Sequence, residues 1–269
     1  MRQPLRARVL AAVAATILGW EPGIAADQMR IVSPTYPTRA PNPNPQRFDP
    51  TSFVWRTRTT DHFDIYHTEQ IDLDEIARDA ERAYSRVTAD LGRDLSEKVP
   101  LILLPTSGDL PRDRSEASTI VRASGAPDVD HLLLPLEPRD RRATVLAHEL
   151  THIIQFELDP GGRLPAWASE GVADHETGSW EPSDLLKLRE AAAAGLTPAV
   201  ARLTDSDRAW GHAVFDFVAA EYGAQGIQRY LIALQNGAGS DTTRAAFGVA
   251  AADFDSAFHR YVRARLIER

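Results

Sequence analysis

The chain has 269 residues, 43% of them hydrophobic and 25% charged, with a formal net charge of −8. That composition suits a folded domain with a sizeable core and excludes an intrinsically disordered chain, and the acidic balance argues against a nucleic-acid partner, which needs a basic face. Cysteine is absent, so disulfides, a thiol nucleophile and a Cys-ligated zinc site are all excluded.

Arg2, Arg6 and Arg8 precede an apolar run from Val9 to Trp20, and Gly23-Ile24-Ala25-Ala26 follows with small residues. Residues 1–26 therefore read as a secretory signal peptide, which predicts a secreted or periplasmic protein. The run is shorter than the roughly 20 residues a membrane span needs, so no stable membrane insertion is expected after cleavage. Residues 27–50 contain the proline-rich stretch SPTYPTRAPNPNPQRFDP and read as an extended linker. The remainder, 51–269, reads as one functional domain.

Within it, Phe53–Arg58 and Phe63–His67 read as two short strands joined at Thr60-Asp61. Apolar residues at helical spacing (Ile76, Ala80, Ala83, Tyr84, Val87, Leu91) predict a helix over 71–91 that Gly92 ends. Val99–Leu104 and His131–Leu136 read as buried strands. Within the second run, Leu132–Leu136 is placed, by its position just before the next helix, as a sheet edge on which an extended substrate could pair. A helix follows over 140–158, stopped by Asp159-Pro160-Gly161-Gly162. From Pro165 onward the pattern is helical, with helices predicted over 165–177, 183–194, 207–222, 226–236, 241–247 and 251–267. The chain thus has a strand-bearing first half and a helical second half. Nothing in it signals an oligomeric state.

At the junction stands His148-Glu149-Leu150-Thr151-His152. Residues four apart share one helix face, so both imidazoles can reach one ion, while Glu149 is displaced to sit beside it. Val145, Leu146, Leu150, Ile153 and Ile154 make the helix apolar and hence buried, and burying two imidazoles and a carboxylate without partners is costly. A bound cation offsets that cost. An open tetrahedral site needs a third ligand. Glu170 follows on the next predicted helix, with Asp174 on the same face to hydrogen-bond the far nitrogen of a ligand histidine. His175 is an alternative third ligand. A pattern with a third histidine at position 158 fails, because that residue is Leu158.

The segments HELTHIIQ (148–155) and LPAWASEGVAD (164–174) resemble the gluzincin zinc metallopeptidases, and more closely their peptidase MA-like family. The segments 61–69, 216–234 and 245–262 resemble flanking parts of that family more loosely. The resemblance implies an α+β, zincin-like fold: a small N-terminal sheet over the zinc helix (51–158) and a mostly helical C-terminal lobe (159–269). It implies one Zn2+ per chain on His148, His152 and Glu170, with Glu149 as general base and Asp174 behind a ligand. The substrate would be a peptide or protein. Such families place a Tyr or His in the lower lobe to stabilise the oxyanion; here the corresponding stretch offers Trp210 and His212, of which His212 could supply a charged donor. The alternative from another class is a non-catalytic zinc-binding module of the cell envelope with the same fold.

Overall fold

The structure, a computed structural model, describes residues 55–68, 71–104, 118–120, 131–137, 139–237 and 241–267. The segments read as a signal peptide and a linker lie outside these residues. The chain is mixed α/β and mostly helical, and it divides into two compact units. One comprises residues up to Glu81 together with Glu97–Arg142; the other comprises Arg82–Ser96 together with Ala143–Arg269. The division falls after the first residue of the helix that carries His-Glu-x-x-His, so the motif groups with the helical unit rather than with the strands.

The first unit carries a five-stranded sheet of β1 (Arg56–Thr59), β2 (Phe63–His67), β3 (Val99–Leu104), β4 (Ser118–Ile120) and β5 (His131–Pro135), in the order β1-β2-β3-β5-β4. β1 and β2 form an antiparallel hairpin. β2 runs parallel to β3, as a crossover through helix α1 (Leu73–Leu91) requires. Alternation in β2 buries Phe63, Ile65 and His67, and β3 buries Val99, Leu101, Leu103 and Leu104. Glu81 in α1 fastens the hairpin turn, accepting hydrogen bonds from Thr60 Oγ1 at 2.6 Å and His62 N at 2.9 Å.

The placement of 132–136 at a sheet edge is corrected. β5 is paired on both sides, parallel to β3 through Leu132–Pro135 and antiparallel to β4 through His131–Leu133. The edge next to it is Ser118–Ile120, whose two β-branched residues suit a strand but are too few to show as an alternating run.

The second unit is helical: α2 (Arg142–Leu158, all but its first residue), α3 (Ala166–Glu176), α4 (Pro182–Ala193), α5 (Arg208–Tyr222), α6 (Ala224–Gln235), α7 (Thr242–Phe247) and α8 (Ala251–Leu266). A cluster of aromatic rings from α5 to α8 closes its core, with Tyr222 stacked on Phe247 at 3.9 Å and Phe217 edge-on to Phe254 at 5.1 Å. The tightest packing joins α3 to α5. There Gly171 and Gly211 face one another so closely that a Cβ on Gly171 would lie 2.4 Å from the Gly211 carbonyl carbon. Among the described residues no helix is long and apolar enough to cross a membrane.

Candidate metal centre

The turn between α2 and α3 decides whether two ligand-bearing helices can face each other. Buried Asp159 organises it: its carboxylate accepts from Arg163 N at 2.5 Å, Leu164 N at 2.9 Å and Arg163 Nε at 3.0 Å. Gly162 takes φ 61° within the same turn, a value that suits glycine. Pro165 then precedes the first turn of α3, and the helix runs back past α2.

This reversal brings His148, His152 and Glu170 together. The two Nε2 atoms are 3.2 Å apart. Glu170 brackets them, with Oε2 3.5 Å from His148 Nε2 and Oε1 3.6 Å from His152 Nε2. Tetrahedral donors at zinc bond lengths of about 2.0–2.1 Å are about 3.3–3.4 Å from one another; each imidazole meets its own Glu170 oxygen near that spacing, and one ligand atom from each residue can be chosen with all three within 4.8 Å. The protonation pattern agrees. His148 Nδ1 lies 3.1 Å from Asp174 Oδ1, and His152 Nδ1 lies 3.1 Å from Gln155 Oε1. Each far nitrogen can thus donate to an oxygen, so that an ion displacing the proton between His148 Nε2 and Glu170 would meet an Nε2 lone pair on each ring. These residues could hold a metal ion.

Electrostatics make the place attractive to cations. Burial by itself pulls the His148 imidazole down, but hydrogen bonds to Asp174 and Glu170 and the charges of Asp174 and Glu149 outweigh it and raise it to about 9. The hydrogen bond from His148 holds the Glu170 carboxyl below its ordinary value against burial, helped by the charges of His152, His148 and Arg208. Burial pushes Asp174 up, yet hydrogen bonds from His148 and Arg208 hold it at about 2. Glu149 is half-buried on α2 beside this group.

Arg208 was not legible in advance as part of the centre. From the first turn of α5 it grips Asp174 with two hydrogen bonds, Nε to Oδ2 at 2.5 Å and Nη2 to Oδ1 at 2.6 Å. The hydrogen bond to Asp174 raises the guanidinium further above its ordinary range. Gln155 and Ser169 are likewise additions that only the folded chain reveals.

The two residues considered for an oxyanion role are not gathered with this triad. Trp210 packs edge-on to Phe258, ring centres 6.4 Å apart. His212 is buried, stacked on Trp180 at 3.7 Å, with Nε2 3.5 Å from Asp216 Oδ1. His175, the alternative third ligand, also turns to Asp216, donating from Nδ1 at 2.7 Å. Trp180 Nε1 donates to the other Asp216 oxygen at 3.0 Å. Burial would raise Asp216, but the hydrogen bonds from His175 and His212 hold it far below the usual carboxylate range. This second cluster is internally hydrogen-bonded and ties α3 to α5.

Next to it, Glu176 has no solvent-exposed side-chain surface and meets Arg86 at 3.2 Å, while its Oε1 has no hydrogen-bond partner. Burial pushes its carboxyl up to about 7, with Asp90 adding to the effect and His175 and Arg86 opposing it. A folded-state value above the ordinary one means that its contribution is fully present below about pH 4.5 and is lost as pH rises through about 7. Glu176→Gln is therefore expected to remove a decline in stability over that window on the order of 2 kcal/mol. Melting temperatures of parent and variant across pH 4–8 check this; parallel curves would rule out the titration.

No family model matches the chain, and no curated protein matches it either.

Proposed function

We propose that this chain is a zinc-dependent peptide hydrolase of the gluzincin kind, with a zincin-like fold, acting outside the cytoplasm after export through residues 1–26. The observation that carries the reading is the convergence of His148, His152 and Glu170, with the two Nε2 atoms 3.2 Å apart, each within 3.6 Å of a Glu170 oxygen, and both far imidazole nitrogens tied to oxygens. Three protein donors gather there among the described residues, the number typical of a catalytic zinc site rather than a closed structural one.

His148, His152 and Glu170 would hold the ion. Zinc in such a setting supplies a Lewis acid and lowers the pKa of water to about 7. Glu149, next to the first ligand on the same helix, is the general base. It takes a proton from the attacking water and returns it to the amine nitrogen as the C–N bond breaks. Asp174 keeps His148 in the tautomer that offers Nε2 inward, and it holds Arg208 as a fixed positive charge beside Glu170. We assign the charged-donor role once considered for His212 to Arg208, which remains about half exposed and so available to a substrate oxygen.

The test is metal content followed by activity. Purified parent chain should hold one zinc per chain and cleave an unstructured protein substrate. A chelator should stop cleavage and added zinc restore it. His152→Ala should lose the bound metal together with at least a hundredfold of the activity. A parent chain that takes up no zinc from a micromolar excess, measured by elemental analysis after gel filtration, would overturn the proposal.

A further inference from the structure

The amide of Gln155 forms three hydrogen bonds, and one of them determines the sense of the others. Gln155 is 5% exposed. Its Nε2 lies 2.8 Å from the carbonyl oxygen of Ser169. A carbonyl can only accept, so the group facing it must be the NH2. That fixes the amide orientation without appeal to any metal, and it leaves Oε1 to receive Ser169 Oγ at 2.7 Å and His152 Nδ1 at 3.1 Å. An oxygen acceptor requires a protonated Nδ1. The neutral His152 ring therefore carries its lone pair on Nε2, the atom that faces His148 and Glu170.

We propose that Gln155 is a positioning residue for the metal centre: its amide oxygen sets the tautomer of His152, while its other bonds lock α2 to the residue immediately before Glu170. The inference rests on the metal reading above and deepens it. The two outer arrangements differ in kind. His148 is oriented by a carboxylate that Arg208 neutralises. His152 is oriented by a neutral amide whose own direction is dictated by the backbone of the third ligand's helix. A shift of α3 that moves Glu170 would thus also disturb the hydrogen bond that prepares His152, so the second and third ligands are coupled through one side chain.

Two substitutions separate this role from simple bracing. Gln155→Met matches the side chain in length but removes both acceptor and donor. Gln155→Glu keeps an oxygen for His152 and loses the donor to Ser169 O. If the amide only braces the helices, zinc binding should follow the bonds to Ser169: weakened in Gln155→Met, which loses both, and weakened also in Gln155→Glu, which keeps the acceptor for Ser169 Oγ but turns an oxygen against the Ser169 carbonyl. If it positions His152, Gln155→Met should bind zinc 10–100-fold more weakly, while Gln155→Glu stays within about threefold of the parent. The absorption bands of bound Co2+ should broaden in the first and persist in the second. Should Gln155→Met lack the helical circular dichroism of the parent, histidine 15N NMR of the zinc-loaded parent decides. Nδ1 of His152 must be protonated and Nε2 metal-bound; the reverse assignment overturns the proposal. Parent and both variants binding zinc equally, or Gln155→Glu losing more than about threefold as well, also overturns it and leaves the metal reading intact. A parent that binds no zinc removes both.

Discussion

Glu149→Gln is expected to retain one zinc per chain and to lose peptide hydrolysis by at least three orders of magnitude in kcat. The substitution is nearly isosteric and removes only the ability to accept a proton. Glu149 is half-buried on α2, and its charge is felt by His148, which puts it next to the ligands without making it one. General base catalysis contributes roughly 10²–10⁴-fold, and the same carboxylate is required again when the amine leaves, so the full range should be lost. Zinc affinity should change little, because the three donors and their outer hydrogen bonds are untouched. Single-turnover assays alongside metal analysis read both quantities. Cleavage at the parent rate would remove Glu149 from the mechanism, and it would leave a zinc-binding module without turnover as the better description.

Gly171→Ala is expected to be severely damaging despite being a conservative change in the helical unit. The new methyl would lie 2.4 Å from the Gly211 carbonyl carbon, 2.7 Å from its Cα and 2.9 Å from its oxygen. All three are backbone atoms, so no side chain can swing aside, and α3 must separate from α5. Ordinary overpacking costs about 1–3 kcal/mol; a clash of backbone against Cβ belongs at or above the top of that range. A fall in Tm on the order of 10 °C follows for a chain of this size. Because the displaced residue adjoins Glu170, metal affinity should fall with stability. Gly161→Ala is the control, since the nearest atoms to its added methyl are 3.8 Å away on a flexible arginine, and it should shift Tm by no more than 1–2 °C. Equal behaviour of the two variants would mean that the helices are not held as tightly as described.

Much of the site was readable because its geometry is local. The spacing of His148 and His152 is a property of any α-helix, and the same step relates Glu170 to Asp174. The helices of the second half were similarly legible. The expected 183–194 and 251–267 are found at Pro182–Ala193 and Ala251–Leu266, since amphipathic periodicity survives without knowledge of partners. What escaped notice depends on contacts distant in sequence. Nothing in the sequence singles out Arg208, at the start of its helix, and only the packing of α3 on α5 brings it to Asp174. Gln155 carries no signal in the sequence, because Ser169 acquires meaning only once the Asp159 turn has folded α3 back. His212 drew attention for its chemistry alone, whereas its helix directs it to Asp216 and Trp180. Strand order was equally hidden: β4 is three residues long and displaces β5 from the edge.

The pair of facing glycines also bears on how kin of this chain could be recognised. At neither position can a larger residue be accepted while the backbones stay in place, and because each added Cβ meets backbone, a change at one cannot offset a change at the other; a drifting lineage must keep both or abandon the crossing. A His-Glu-x-x-His pentapeptide arises readily by accident. The same pentapeptide followed by a Glu-Gly pair, and later by a second glycine early in a helix that starts with arginine, specifies a three-dimensional arrangement. That longer signature is the better probe for distant ancestry.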